Sequence, residues 1–322
     1  MDGDRTPHIS FYRLGTADLA YAVPSSGTWT LQALDTADAV GSNSSIFASD
    51  NGNVYISYYS LTGSELRFRM KGSVGGFSGS TLDTGGADDV GRYSSIRTDA
   101  AGKIHIAYYN STDVDLMYVS NVTGAWVIET AYGSGDVGAY PDLDFDSAGK
   151  PYVAFLQDGA DVTCAIATNA SGTWTVPIVV DSDVILGCEF EIADSGVFHV
   201  CHVVDDGGAH VIRHYLCSDI DSNVQPEDWT TEDLAVDPTG SIDSLDMALD
   251  GNGKVHIVYV KAIAGCGGRI YYLTNVGDAW TEEELDIPFS ASRPDLAVAD
   301  DGTLHMAFCG QDESIMLCYG RK

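Results

Sequence analysis

Residues Ser95 to Ser120 read SIRTDAAGKIHIAYYNSTDVDLMYVS, and near-copies of this stretch recur along the whole chain. It contains an alternating segment, a turn of the form Asp-x-x-Gly, a second alternating segment that ends in two tyrosines, a polar turn and a third such segment. Alternation with a period of two is typical of strands. Asp and Gly favour tight turns, because Asp accepts amide hydrogen bonds and Gly tolerates a positive φ. The stretch therefore predicts three consecutive antiparallel strands.

The copies keep one aromatic or imidazole position in the second strand, which defines the repeat. The seven copies of this position are His8, Tyr55, His105, Tyr152, His199, His256 and His305. The turn Asp is predicted at Asp50, Asp99, Asp146, Asp194, Asp250 and Asp300. A fourth strand opens at Trp29, Phe77, Trp126, Trp174, Trp229 and Trp280. Four short strands per repeat of about 40 to 50 residues is typical of β-propeller blades.

We therefore predict an all-β protein, a seven-bladed β-propeller of four-stranded antiparallel blades, with six blades as the alternative. The first and last repeats each supply only three strands, which leaves the two blade counts open. Because the repeat runs from end to end, residues 1–322 are predicted to form a single domain. The incomplete terminal blades expose strand edges, so association through them is expected.

The composition excludes several classes of function. A formal net charge of −31 repels phosphate backbones and anionic lipid, so we expect no nucleic-acid partner. No apolar run approaches the roughly 18 residues of a membrane span, so no membrane insertion is expected. The acidic start at Asp2 and Asp4 is unlike a signal peptide. We expect an extracellular or cell-surface protein whose secretion signal lies outside this chain.

Positions that differ between repeats mark what the shared frame does not require. Just before the predicted first strands stand Asn43, Tyr93, Tyr140, Gly187, Ser244 and Arg293, and two positions later come Ser45, Ser95, Asp142, Glu189, Asp246 and Asp295. Loops that enter innermost propeller strands converge on the channel mouth. We predict a ligand-binding mouth formed by Tyr93, Tyr140, Asp142, Glu189, Asp246, Asp295 and Arg293. The alternative is an acidic rim that binds no ligand.

The fifth repeat carries an insertion with Asp219, Asp221 and Asn223 at alternate positions. This spacing is typical of calcium loops and indicates calcium as a cofactor, although the usual Gly and Glu are absent. The same repeat holds His202, Asp205, Asp206, His210 and His214 in one hairpin. That group forms either a transition-metal site or an exposed polar hairpin.

Two sets of side chains that recur from repeat to repeat have structural interpretations that compete with functional ones. The second-strand histidines are predicted to contact their own turn rather than to form a metal ring, and the tryptophans to pack between blades rather than to hold sugars. Seven cysteines permit a Cys309–Cys318 disulfide across a hairpin. Cys164, Cys188 and Cys201 are predicted to be buried thiols.

The repeat, seen as Asp99-x-x-Gly102-x-x-His105-Ile106-Ala107-Tyr108-Tyr109, resembles tandem repeats of secreted bacterial and archaeal propellers. More distantly it resembles the Asp-box repeats of sialidases and related lectins. The resemblance implies extracellular binding of a glycan or a protein, and so an adhesion module that is not an enzyme. A sialidase-like glycoside hydrolase and a structural spacer of a larger surface protein are the alternatives. Only Arg293 and Arg92 fall near the mouth, short of the arginine cluster that sialidase chemistry requires.

Overall fold

The computed structural model describes residues 1–175, 178–218, 220, 228–263, 268–288, 290–299, 301–311 and 315–322. These residues contain 26 strands and no α-helix, and every strand pair with an assigned register is antiparallel. Among them there is accordingly no helix of the length and apolarity that a membrane crossing requires. The all-β prediction and its repeated antiparallel sheets are confirmed.

The chain divides into two compact units, of which the first comprises residues 1–159 and 166–177. Its strands are β1 (Ile9–Arg13), β2 (Asp18–Ser25), β3 (Thr28–Asp35), β4 (Val40–Ala48), β5 (Val54–Ser60), β6 (Glu65–Lys71), β7 (Ser78–Asp83), β8 (Val90–Thr98), β9 (Ile104–Asn110), β10 (Asp115–Ser120), β11 (Val127–Tyr132), β12 (Asp136–Phe145) and β13 (Pro151–Asp158). They form a three-stranded sheet β1-β2-β3, the four-stranded sheets β4-β5-β6-β7 and β8-β9-β10-β11, and the pair β12-β13. The next strand, β14 (Thr163–Thr168), is divided between the two units.

The second unit comprises residues 160–165 and 178–322. Its remaining strands are β15 (Ile178–Asp181), β16 (Val184–Ile192), β17 (Phe198–Asp206), β18 (Ala209–Cys217), β19 (Thr230–Asp237), β20 (Ile242–Leu249), β21 (Val255–Ala262), β22 (Gly268–Thr274), β23 (Thr281–Glu284), β24 (Ser290–Val298), β25 (Leu304–Gln311) and β26 (Ile315–Arg321). Strands β16 to β19 form one four-stranded sheet, and β20 to β23 pair in the same order. The three-stranded β24-β25-β26 joins β22 through the single pair Gly268 and Ala291.

The turn between the first and second strands has the predicted chemistry where Asp and Gly are three positions apart. Asp99 Oδ1 accepts hydrogen bonds from the backbone N–H groups of Ala101 at 2.9 Å and Lys103 at 2.8 Å. Gly102 has φ of 72° and donates to the Asp99 carbonyl at 2.9 Å. The side chain thus satisfies two amides that the turn leaves without strand partners.

The predicted frame is wrong for some copies of the turn. Gly52 donates to the Ser49 carbonyl at 2.8 Å and Gly196 to the Ala193 carbonyl at 2.7 Å, so Asp50 lies one position beyond the turn residue. In the same way Asp194 lies one position after Ala193, the first residue of its turn. The predicted turn residue Asp300 lies outside the described residues. The backbone bond and the Gly conformation suffice to form the turn, so its first residue can vary.

His8, His105 and His256 contact the Asp of their own turn, as predicted, whereas His199 contacts His214 instead. His8 Nε2 donates to Asp2 Oδ2 at 3.0 Å, which leaves Nδ1 to accept from the Tyr21 hydroxyl at 2.5 Å. His105 Nε2 lies 3.5 Å from Asp99 Oδ2 in the corresponding arrangement. The imidazole therefore links the turn to the third strand of its own sheet.

Most of the large fourth-strand aromatics pack against the preceding sheet, as predicted, whereas Trp229 meets Tyr215 of its own sheet. Trp126 meets Phe68 edge to face with ring centroids 5.4 Å apart, and Trp174 meets Tyr118 at 4.8 Å. The Trp174 indole also donates to Glu129 at 3.1 Å. Edge-to-face pairs of this kind contribute about 0.5 to 1.5 kcal/mol beyond their buried area. These tryptophans are thus part of the packing between consecutive sheets of the first unit.

The prediction of buried thiols is wrong for Cys164 and Cys188, and the disulfide that the sequence permits between Cys309 and Cys318 is not formed. Cys164 and Cys188 form a disulfide with their Cα atoms 5.8 Å apart, so neither is a thiol. Cys309 and Cys318 form no disulfide, because β25 and β26 pair in a register that sets Cys318 opposite Phe308. Cys201 is a fully buried thiol, as predicted. Closing the loop between Cys164 and Cys188 is expected to stabilise the second unit by about 3 kcal/mol.

Consecutive sheets of the first unit approach each other most closely at a glycine near the start of the first strand. A Cβ placed on Gly138 would lie 2.5 Å from the Leu116 Cα, and one on Gly91 would lie 2.6 Å from the Leu66 Cα. Both glycines also have a left-handed backbone, with φ of 96° and 97°. Space and conformation therefore both require Gly at these positions.

We predict that Gly138→Ala destabilises the protein more than Gly135→Ala. Both glycines have φ of 96°, but a Cβ at Gly135 would meet nothing within 4 Å. The strain of a positive φ costs about 1 to 2 kcal/mol in both variants, and overpacking adds about 1 to 3 kcal/mol at Gly138 alone. Urea unfolding of the two variants measures the difference. Equal free energies of unfolding would contradict the close approach.

A second prediction concerns acid stability. Burial lowers the pKa of His199 and of His214 to about 4, and their Nδ1 and Nε2 atoms lie 3.1 Å apart. An unfolded histidine titrates near 6.5, so the unfolded chain binds more protons below that pH. Above pH 6.5 these two histidines do not lower the free energy of unfolding. As the pH falls from 6.5 towards 4, the free energy of unfolding decreases by up to about 1.4 kcal/mol per pH unit for each histidine.

The variant His214→Tyr should make this loss shallower, because Tyr118 occupies the corresponding position beside His105. The reciprocal variant Tyr118→His should make it steeper. Denaturant midpoints at pH 7 and pH 5 test both expectations. An unchanged slope in both variants would show that these buried rings do not govern acid stability.

Candidate functional site

The first strand of most repeats contains a β-bulge, in which two residues face one residue of the second strand. In β8, Tyr93 and Ser94 face Tyr108, and in β12, Tyr140 and Pro141 face Phe155. The first residue of each bulge has a left-handed backbone, with φ of 52° at Tyr93 and 51° at Tyr140. Asn43, Gly187 and Arg293 share this conformation at the corresponding positions. The variable position found in the sequence is therefore the bulge residue, except in β20, whose register shift precedes Ser244.

Tyr93 and Tyr140 stack on each other. Their ring centroids are 4.1 Å apart with 29° between the ring planes, although their strands belong to consecutive repeats. Tyr140 is 54% exposed and Tyr93 is half-buried. Bulges commonly redirect side chains beside functional sites, and a bulky residue with positive φ is uncommon. We call this pair the tyrosine shelf.

Tyr109 and Asp136 lie beneath the tyrosine shelf. The Tyr109 ring centroid is 6.4 Å from that of Tyr93, and its hydroxyl donates to Asp136 Oδ1 at 2.8 Å. Burial, followed by that hydrogen bond, raises the pKa of Tyr109. The phenol therefore stays protonated and fixes the position of the carboxylate.

Arg92, Asp89 and Tyr59 form a polar group next to the shelf. The Arg92 guanidinium donates twice to Asp89 Oδ2, at 2.6 and 3.1 Å, and lies over the Tyr59 ring 5.0 Å from its centroid. The Tyr59 hydroxyl donates to Asp89 Oδ1 at 2.7 Å. Burial opposes ionisation, but the bonds from Arg92 and Tyr59 hold the pKa of Asp89 below its usual value. Asp89 is thus an ionised carboxylate whose side chain is 27% exposed.

An acidic cleft of about 290 Å³ adjoins this polar group. Its carboxylates are Asp83, Asp88, Asp113 and Asp115. Burial, followed by the nearby Asp113, raises the pKa of Asp115. The cleft adjoins the polar group through the chain, because Asp88 and Val90 line the cleft and flank Asp89. The surroundings of the tyrosine shelf are therefore strongly negative.

The second predicted set, two positions after the bulge residue, joins consecutive repeats. Ser95 Oγ accepts the N–H of Leu143 at 3.2 Å and donates to Asp142 Oδ1 at 3.3 Å. In the second unit, Asp246 Oδ2 accepts the N–H of Leu296 at 2.5 Å. These side chains therefore fix the first strand of the next repeat.

The other predicted mouth residues lie in the second unit. Arg293 and Asp295 are exposed in β24, and Arg293 has φ of 51°. Burial raises the pKa of the Cys201 thiol, and the charges of Glu189 and Asp246 raise it further, which places both carboxylates near that sulfur. The structure thus brings Tyr93, Tyr140 and Asp142 into the first unit and the other four residues into the second.

The predicted metal ligands have different outcomes. Asp219, Asp221 and Asn223 lie outside the described residues, so calcium binding there stays a prediction. His202 and His214 are buried, so the alternative of an exposed polar hairpin is wrong for both. His202 Nε2 donates to Asp181 Oδ2 at 3.1 Å, whereas His210 Nδ1 donates to the Ile242 carbonyl at 3.0 Å. No group of three metal-ligating side chains occurs in the part of the chain that the structure describes.

Sequence reasoning missed Tyr59, Asp89, Tyr109 and Asp136. The two tyrosines are the second members of Tyr-Tyr pairs, and the corresponding residues of later repeats include Leu156, Val203 and Val260. The criterion of variation within a shared frame would have selected them. The two aspartates lie just before or at the start of first strands, where the repeats differ in length.

Comparison with solved structures identifies related folds. The polysaccharide lyase Uly1 has a TM-score of 0.63 at 12% identity, with 98% of this chain and 87% of that chain covered. A PL25 ulvan lyase bound to -[GlcA(1-4)Rha3S]- has a TM-score of 0.58 at 14% identity, with coverages of 84% and 78%. A protein of unknown function from Dyadobacter fermentans DSM 18053 has a TM-score of 0.60 at 10% identity, with coverages of 98% and 96%. No protein-family profile and no curated protein matches the chain.

These similarities correct one prediction and leave another open. The prediction that the protein is not an enzyme is contradicted, because two structures that share its all-β fold along most of the chain are polysaccharide lyases. The resemblance to Asp-box repeats stays a prediction. At 10 to 14% identity the likeness concerns the fold alone, so the chemistry has to be argued from the side chains.

The left-handed conformation of Tyr140 yields a stability prediction. Gly accepts φ of 51° without strain and Ala does not, so Tyr140→Gly should be about 1 kcal/mol more stable than Tyr140→Ala. Val127 is an exposed strand residue that does not have a positive φ. There we expect Val127→Ala to be more stable than Val127→Gly by about 0.5 to 1 kcal/mol. Thermal or urea unfolding of the four variants measures both differences. The same order at both positions would contradict the strained bulge.

Proposed function

We propose that the protein is a glycoside hydrolase that binds a polysaccharide on the tyrosine shelf and cleaves it beside Asp89. The observation that carries this proposal is the Tyr93–Tyr140 stack, whose outer ring Tyr140 is exposed, together with the ionised Asp89 that is bonded to Arg92, the residue before Tyr93. Flat aromatic faces complement the apolar face of a sugar ring, and carboxylates accept hydrogen bonds from its hydroxyl groups. The all-β fold shared with polysaccharide lyases supports a carbohydrate-acting protein.

The charge of the site favours hydrolysis over elimination. Glycoside hydrolysis passes through a transition state that resembles an oxocarbenium ion and is therefore positively charged. Fixed negative charge stabilises developing positive charge in a site with little water. Elimination next to a uronate carboxylate builds negative charge instead, which Asp136 and the carboxylates of the acidic cleft would destabilise.

Each residue has a distinct role in this proposal. Tyr93 and Tyr140 hold the sugar ring, and Asp89 together with the carboxylates around it stabilises the positive charge at the anomeric carbon. As the glycosidic C–O bond breaks, water supplies the hydroxyl that the anomeric carbon gains and the proton that the leaving oxygen takes. Tyr59 and Arg92 keep Asp89 ionised and oriented through their hydrogen bonds. Tyr109 and Asp136 support Tyr93 from below.

We further propose that the repeats close into a seven-bladed propeller and that the protein acts outside the cell. The seven copies of the second-strand position support the blade count, as do the three strands that the first and the last repeat each supply. The disulfide between Cys164 and Cys188 supports an oxidising compartment. Counting the blades in a crystal structure would decide between seven and six.

The test of the function is a screen of purified protein against xylan, β-galactan, arabinan, polygalacturonate and ulvan. New reducing ends without the ultraviolet absorbance of unsaturated uronate would indicate hydrolysis. We expect Asp89→Asn to lower the rate by at least about 100-fold, a loss of the size found when one group that stabilises transition-state charge is removed. Unsaturated products from any polymer would replace hydrolysis with elimination.

Binding tests the tyrosine shelf separately from cleavage. The double variant Tyr93→Ala with Tyr140→Ala should weaken binding of the cleaved polymer about tenfold, because each aromatic contact contributes about 0.5 to 1.5 kcal/mol. Tyr140→Phe keeps the stacking face and should bind normally. Leu14→Ala removes a 73% exposed side chain outside the shelf and serves as the matched surface control. Unchanged affinity in the double variant would remove the shelf as the glycan site.

A further inference from the structure

The arginines near the tyrosine shelf already carry carboxylate partners. Arg92 donates two hydrogen bonds to Asp89, and that contact, opposed by burial, raises the pKa of the guanidinium. Arg97 lies 3.9 Å from Asp142 Oδ1. An arginine that binds a substrate carboxylate or sulfate must present its donors to that anion. In this protein the donors of Arg92 face an anion of the chain itself.

Further carboxylates surround the same surface. Asp136 accepts from Tyr109, and the charge of Asp158 also acts on that tyrosine. The acidic cleft is lined in part by Asp88, the residue directly before Asp89. The whole chain has a formal charge of −31, so its field repels anions before contact as well. A polymer with a carboxylate or sulfate on each repeat would meet repulsion along its length.

We propose that the tyrosine shelf takes an uncharged glycan, and that the Asp89–Arg92 ion pair excludes polyanionic polysaccharides. This inference rests on the proposed function and specifies its substrate class. The ion pair has no net charge but keeps ionised oxygens that accept hydrogen bonds from sugar hydroxyls. An uncharged sugar ring gains stacking on Tyr140 without a charge to desolvate. Discrimination against anions therefore has two sources: Asp89 occupies the Arg92 donors that would bind an anion, and the surrounding carboxylates repel it.

The test compares polymers that differ in charge alone. In affinity electrophoresis, at least one uncharged polymer should retard the wild-type protein. The uncharged polymers are methyl-esterified homogalacturonan, carboxyl-reduced and desulfated ulvan, xylan and galactan. The de-esterified and native anionic forms should give no retardation. Equal or stronger retardation by an anionic form would overturn the inference while keeping a carbohydrate-binding function. Retardation by none of these polymers would overturn the proposed function itself.

A gain of binding tests the ion pair directly. Asp89→Asn removes the carboxylate that occupies Arg92, so the variant should bind native ulvan or polygalacturonate about fivefold more tightly than the wild type at low ionic strength. The gain should disappear at high salt and in the double variant Asp89→Asn with Arg92→Gln. Circular dichroism of each variant checks folding. A folded Asp89→Asn protein that gains no anion binding would contradict exclusion by this pair.

Discussion

The starts of β4, β8 and β12 lie against the next-to-last strand of the preceding sheet, and a Val-Gly pair makes each contact. Gly41, Gly91 and Gly138 would each place a Cβ within 2.6 Å of a leucine Cα. Their left-handed backbone turns the strand at the point of contact. Two residues later the strand bulges, so Tyr93 and Tyr140 leave the ladder at a position set by packing between sheets. The close contact between sheets therefore determines where Tyr93 and Tyr140 lie.

The sequence was sufficient for the features that every repeat needs. Asp99, Gly102 and His105 were predicted from their recurrence, because turn chemistry and burial act over a few residues. Contacts that depend on three-dimensional register were not predictable in the same way. The Cys164–Cys188 disulfide joins β14 to β16, and no periodicity of the chain reports that distance. The bulge residues were found as a variable position, but their left-handed backbone was not, since Tyr and Arg give no local signal for it.

Variation between repeats also separates framework polar groups from those of the candidate site. Tyr58 and Tyr108 donate to Asp35 and Asp83, the last residues of β3 and β7, so this pairing recurs where consecutive sheets meet. Tyr59 and Tyr109 are their chain neighbours but contact carboxylates beside the tyrosine shelf. Alternation in β5 and β9 therefore turns one tyrosine of each pair towards the framework and the other, which is also buried, towards the carboxylates Asp89 and Asp136.

The strain at the shelf is an argument for its function that is independent of any resemblance. A non-glycine residue with positive φ costs about 1 to 2 kcal/mol, and the repeat offers glycine as an alternative, since Gly187 occupies the corresponding bulge. Tyr93 and Tyr140 are strained, adjacent in space and partly exposed, so folding alone does not explain their presence. A binding surface does, because a stacked pair fixed by its backbone presents a rigid face that loses little entropy when a ligand binds. Arg92 directly precedes the bulge residue Tyr93 and donates two hydrogen bonds to Asp89. The backbone conformation that positions the tyrosine shelf therefore also positions the Asp89–Arg92 ion pair.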